Sequence, residues 1–213
     1  MGIISNRRRY AGCCNSPKYD YEVEYLESGG ECYISIGIFI NGTLEYAAKF
    51  TYTAKNTSYF GGRIARNNGA YLIKNENNST DSFGYGNISP YTFSFPSNGI
   101  VESSYVGTTF KISNRTINVP RQTFNTNIEF WLFGANNYSL TSAGTRIYYF
   151  KLWNAGNLVR DLIPVVKDNV GYMYDKVSGQ LFGNAGTGDF ILGPDKGSAV
   201  IITQQQQREM YGE

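Results

Sequence analysis

An all-β sandwich is the fold class this sequence predicts, on three observations. Tyr and Phe are abundant, at 18 and 13 of 213 residues, and they alternate with Ile, Val and Thr in the way a pleated, half-buried surface requires. The 24 glycines, together with many asparagines, place turn signals at short intervals. Period-2 alternation recurs from Tyr21 onward, and no stretch spaces its apolar residues as a helix does. A chain of this length buries roughly 70% of its unfolded surface without staples, so one core is expected.

The elements follow in order. Residues 1–20 lack periodicity, and the run Arg7-Arg8-Arg9 leads through Tyr10 to Gly12, Cys13 and Cys14; this reads as an irregular N-terminal attachment arm, docked on a partner or solvated. In YEVEYLESGG (21–30), strand alternation puts Tyr21, Val23 and Tyr25 on one face and Glu22 and Glu24 on the other. After the Ser28-Gly29-Gly30 turn, CYISIGIFI (32–40) reads as a strand relieved at Gly37. Asn41-Gly42 is the strongest hairpin signal in the chain, predicting that LEYAAKFTYTA (44–54) returns beside that strand. Two short strands about Asn67-Asn68-Gly69 follow in 58–75, then a polar loop over 76–93.

The same rhythm continues through TTFKISN (108–114), TINVP (116–120) and FNTNIEFWLFGAN (124–136). In 145–154, Ile147, Tyr149, Lys151 and Trp153 fall on one face and Tyr148, Phe150 and Leu152 on the other. Both faces are apolar, which predicts a central strand packed on two sides. Asn154-Ala155-Gly156-Asn157 turns the chain into LVRDLIPVV, and Lys176-Val177-Ser178-Gly179 turns YMYD into QLFG. The sandwich is expected over 21–196, and 197–213 as a C-terminal strand (Ala199–Thr203) with a polar, glutamine-rich tail.

Composition excludes several chemistries. With 19 basic and 17 acidic residues the balance is nearly neutral, so neither nucleic acid nor an acidic membrane is the expected partner. The absence of His removes Ser-His and Cys-His nucleophile pairs, histidine bases and most zinc sites, leaving carboxylates, Lys or Tyr for any catalysis. Cys13, Cys14 and Cys32 have neither disulfide-framework nor metal spacing and are expected as free thiols of a reducing cytoplasm. The start MGIISNRRRY has no apolar region after its basic run and is not expected to be an export signal; Asn6 stands where a myristoylation motif has Ser or Thr.

One cluster has the letters of chemistry. Glu22, Glu24 and Glu27 lie close to the E-x-D-x-x-E pattern of glucan-cleaving sandwiches, and carboxylates two apart on a strand face can meet the 5–5.5 Å that retaining glycosidases need. Glu27 would join them only through a bulge, and Glu24 replaces the pattern's Asp, so the expected reading is a solvated strand face. The Gly183-Asn-Ala-Gly186-Thr-Gly188 run lacks the Lys-Ser/Thr and helix of a phosphate cradle and reads as turns. The Asp and Asn residues of 76–89 lack calcium-loop spacing, so no cofactor or metal is expected.

Four stretches carry a family likeness: RRRYAG (7–12), YEVEYLESGGECYISIGI (21–38), YFGGRIARNNGAYLI (59–73) and the long run from Ile147 to Asp195, in which Y-D-K-V-S-G (174–179), Phe182 and Asn184 are the most specific. Over residues 21–195 the chain resembles the concanavalin A-like (laminin G-like) jelly-roll proteins of tailed phages of gut bacteria, including crAss-like phages and related prophages. The resemblance implies a jelly-roll β-sandwich and a non-enzymatic virion structural role, as a head fibre, tail fibre or capsid-associated protein made in the host bacterial cytoplasm. It implies other virion proteins as partners, a dimer or trimer, and host-surface glycan as the candidate ligand. Residues 1–20 would be the attachment arm, with Arg7, Arg8, Arg9 and Tyr10 as its contact residues. The alternative is a carbohydrate-binding module or a glycoside hydrolase working through Glu22 and Glu24.

Overall fold

A computed structural model describes residues 18–52, 58–65, 69–74, 81–86, 88–93, 99–140 and 143–198. The chain runs through β1 (Tyr21–Val23), β2 (Leu26–Ser28), β3 (Ile34–Asn41), β4 (Leu44–Tyr52), β5 (Ser58–Gly61), β6 (Ala70–Lys74), β7 (Asp81–Tyr85), β8 (Ile88–Phe93), β9 (Gly99–Val106) and β10 (Thr109–Ile112). It continues with β11 (Arg115–Asn118), β12 (Asn125–Leu132), β13 (Gly134–Ala135), β14 (Ser139–Leu140), β15 (Arg146–Asn154), β16 (Asn157–Lys167), β17 (Val170–Asp175), β18 (Leu181–Phe182), β19 (Phe190–Leu192) and β20 (Asp195–Ser198). Among the described residues there is no helix.

Two antiparallel sheets pack together as a β-sandwich. The larger runs β11-β10-β9-β4-β15-β16-β1-β20, with β2, β17, β18 and β19 joined at its flank; the smaller runs β3-β12-β5-β6-β7-β8. Their inner faces share one core, in which Phe60 of the smaller sheet meets Phe150 of the larger edge-on at 5.3 Å, and Phe83 stacks on Phe110 at 4.2 Å. Each of these fully buried rings contributes about 1.5–3 kcal/mol by leaving water, with ~0.5–1.5 kcal/mol more per well-placed ring pair. Tyr46 keeps its phenol satisfied inside the core against Ser103 Oγ at 2.9 Å.

The Asn41-Gly42 expectation is corrected. β3 and β4 do not pair: β3 joins β12 in the smaller sheet, whereas β4 lies between β9 and β15 in the larger. A two-residue I′ hairpin needs positive φ at both turn positions, and neither Asn41 nor Gly42 has it. Instead Asn41 Oδ1 accepts the Thr43 N–H at 2.8 Å, and the chain arches from one sheet to the other. The two-residue I′ geometry appears at Ala155-Gly156 (φ 49° and 79°), where β15 and β16 do form the expected hairpin.

Three further expectations change. The segment 76–93 is not a polar loop throughout: it contains β7 and β8, and Phe83, Tyr85 and Phe93 are core residues. β15 is central, between β4 and β16, but a bulge between Ile147 and Tyr149 brings Ile147 to the core side with Phe150 and Leu152. Tyr148, Tyr149, Lys151 and Trp153 are left half-exposed, so only one face is packed. The alternation from Tyr21 breaks at Glu24-Tyr25, because β1 pairs with β16 and β20 while β2 pairs with β15 and β19. Val23 and Leu26 are the buried residues on either side of the break, and Tyr25 turns outward onto the Arg146 guanidinium.

The paired strands around 69, the Gly37 relief (φ 66°) and the turn between β17 and β18 fall where the sequence puts them. Lys18–Asp20 already lie against the sandwich: Asp20 N–H donates to Val166 O at 2.8 Å, and Tyr19 packs on Tyr174 at 4.9 Å. Residues 1–17 and the expected strand Ala199–Thr203 lie outside the described residues.

Candidate functional site

The three glutamates are not one cluster. Glu22 accepts the Tyr19 phenol at 3.0 Å, and burial together with that carboxylate pushes the phenol up to about 12. Glu24 is exposed in the bend beyond β1. Glu27 is ion-paired with Arg146 on the neighbouring strand, across the break that separates β2 from β1. Arg7, Arg8, Arg9 and Tyr10 lie outside the described residues, as do Cys13, Cys14 and most of the Asn-rich stretch before β7. Among the described residues no three His, Cys, Asp or Glu side chains group as metal ligands.

The glycine-rich run and the Y-D-K-V-S-G stretch build loops. Asp175, fully buried, accepts N–H donors from Asp161 (2.9 Å), Val177 (3.1 Å) and Ser178 (3.2 Å) and the Ser178 hydroxyl (2.7 Å). Burial alone would raise its pKa, but these donors outweigh that and hold it below the ordinary carboxylate value. Asn184 Oδ1 accepts from Tyr33 N–H (3.2 Å) and Gly186 N–H (2.8 Å), tying the run to β3. A Cβ at Gly186 would sit 1.9 Å from Glu31 O, which explains a glycine there. Arg160, over the Phe182 ring, donates to Ile36 O from Nε and Nη2 at 3.0 and 2.9 Å and so bridges the two sheets.

Where the chain crosses between sheets, an open cleft of about 520 Å³ forms. Three loops meet there: the arch at 42–43, the segment 121–125 entering β12, and the turn at 155–156. Its frame is Arg121, whose Nη1 donates to Leu44 O at 3.1 Å and Tyr85 Oη at 3.3 Å, and whose Nη2 pairs with Glu45. The guanidinium also lies 5.1 Å from the Tyr105 ring centroid. Burial opposes its charge, but Tyr85, Tyr105 and Glu45 more than compensate and hold its pKa above the ordinary guanidinium value.

The walls are fixed by close backbone approach. Gly42 N–H donates to Phe124 O at 2.8 Å, and a Cβ on Gly42 would lie 2.0 Å from Gln122 O. Phe124 meets Tyr85 edge-on at 5.4 Å and is closed from behind by Gly86, whose left-handed φ of 60° suits glycine. The Thr43 hydroxyl sits between the amides of Asn41 and Asn154. Thr43, Thr123 and Asn125 are exposed, Gln122 and Phe124 half-buried, so neutral hydrogen-bonding groups rim one aromatic ring. The sequence marks the arch and the 154–157 turn as turns, but nothing in it joins them to residues 121–125.

No family model matches the chain, and no curated protein matches it.

Proposed function

We propose that the chain is a non-enzymatic structural protein of a tailed-phage particle, a head-fibre, tail-fibre or capsid-associated component. Its concanavalin A-like jelly roll is displayed outward toward host-surface glycan. The virion assignment rests on the sequence resemblance, which is an argument by analogy. The Asn41-Gly42-Thr43 arch, which carries the chain from one sheet to the other, supports the jelly-roll connectivity.

The observation that carries the non-enzymatic reading is the separation of acids from the cleft. Among the described residues no carboxylate lines the cleft, Glu45 is paired with Arg121, and Glu22 and Glu27 belong to different strand pairings elsewhere with Glu24 in the bend between them. A glycosidase needs two carboxyl groups flanking one bound sugar.

Other virion proteins are the partners in this reading, with the attachment arm and its Arg7, Arg8, Arg9 and Tyr10 as the contact, and the displayed unit is a dimer or trimer. Deleting residues 1–17 tests it: the truncated chain is expected to fold but not to enter particles. Normal incorporation of the truncated chain, or β-glucan turnover that Glu24→Gln abolishes, contradicts the proposal.

A further inference from the structure

We infer that the cleft between the 42–43 arch, the 121–125 segment and the 155–156 turn binds a neutral pyranose, as the glycan-contacting site of the displayed sandwich. The inference rests on the non-enzymatic reading above for its biological sense. Its physical argument is independent.

Size is the first part of that argument. At about 520 Å³ the cleft lies within the roughly 300–1,000 Å³ of small-molecule sites. Charge is the second. The cation at its base, Arg121, is neutralised by Glu45 and hydrogen-bonded to carbonyls and a phenol, so an anionic ligand finds no free counter-charge there. A cationic ligand finds no carboxylate among the described residues of the lining.

The remaining chemistry is specific to a neutral polyol with an apolar face. Thr123, Gln122 and Asn125 offer hydroxyl and amide groups that both donate and accept, as sugar hydroxyls do. The half-buried Phe124, which shares the lining with the small Ala155-Gly156 turn, supplies an aromatic ring for the C–H face of a pyranose. The Phe124 ring and its backbone are pre-set by the Gly42–Phe124 hydrogen bond and the Gly86 backing, so the apolar platform needs little ordering on binding.

The test is an amide chemical-shift titration of the full isotope-labelled chain. The probes are methyl β-glucopyranoside, methyl β-galactopyranoside, methyl α-mannopyranoside and N-acetylglucosamine, with a tetrasaccharide of each, against glucuronate and glucosamine. At least one neutral probe is expected to shift the amides of 122–125 and 155–156 saturably, with glucuronate and glucosamine at least about tenfold weaker. Thr123→Trp, at an exposed position on the rim, is expected to abolish those shifts while the rest of the spectrum is unchanged. Asn125→Ala, also exposed, is expected to weaken binding and serves if the tryptophan variant does not fold. No saturable shift with any neutral probe overturns the inference, as does a charged sugar bound as tightly or binding unaltered in both variants. Absence of the protein from particles would count against the virion reading and leave this titration standing, so the two failures are distinguishable.

Discussion

Asp175 is the residue on which the C-terminal loops turn. It is a fully buried carboxylate that accepts three backbone N–H groups and one hydroxyl, and Arg160 Nη1 stands 3.6 Å away. Asp175→Asn replaces an acceptor by a donor facing those N–H groups, and is expected to destabilise the fold by about 2–3 kcal/mol, read from urea unfolding at pH 7. Because the folded pKa lies below the unfolded value of about 3.9, the carboxylate's contribution is fully present above that value and lost as pH falls through the folded pKa. The wild type should therefore lose stability more steeply than the Asn variant below about pH 4. Equal slopes in the two proteins would show that Asp175 does not carry the acid dependence. At this scale sequence reading was sound for Asn184 and the loop glycines as turn chemistry, and misplaced Tyr25. Period-2 counting continues past Glu24, but the exchange of strand partners there cannot be read locally.

At the scale of elements, most strands were legible, as were the hairpin partners in β5-β6, β15-β16 and β17-β18, whereas the neighbours of β3 and β4 were not. Alternation identifies β3, β4, β12 and β15, yet the Asn41-Gly42 pair suggests the wrong neighbour, because a turn signal is local and sheet membership is set by contacts far along the chain. β7 and β8 were hidden by Ser, Asn and Gly between their aromatics, and β9 by its serines, although Val101 and Tyr105 are core residues. The arch depends on Gly42 for close approach: Gly42→Ala would drive a methyl into Gln122 O and is expected to cost about 1–3 kcal/mol, by denaturant midpoint. Ala at Gly99, where an added Cβ meets nothing within 4 Å, is the control and should stay within ~0.5 kcal/mol. Equal effects at the two sites would remove the packing argument for the arch.

For the whole molecule, the two sheets and their aromatic core follow from composition and alternation, whereas the cleft does not. It is assembled from loops near residues 42, 122 and 155, which only the exchange between sheets brings together. Of the acids that suggested hydrolysis, Glu27 pairs with Arg146 and Glu22 accepts from Tyr19, while Glu24 is exposed in the bend between β1 and β2. Among the described residues the cleft brings Thr43, Gln122, Thr123 and Asn125 together around Phe124 and the Arg121–Glu45 pair. The most direct measurement is density-gradient purification of phage particles from cells producing the full chain, followed by mass spectrometry and antibody labelling of intact particles. The account predicts that the chain co-sediments with particles and that antibody against the sandwich labels their surface. A chain found only in the soluble lysate would contradict it.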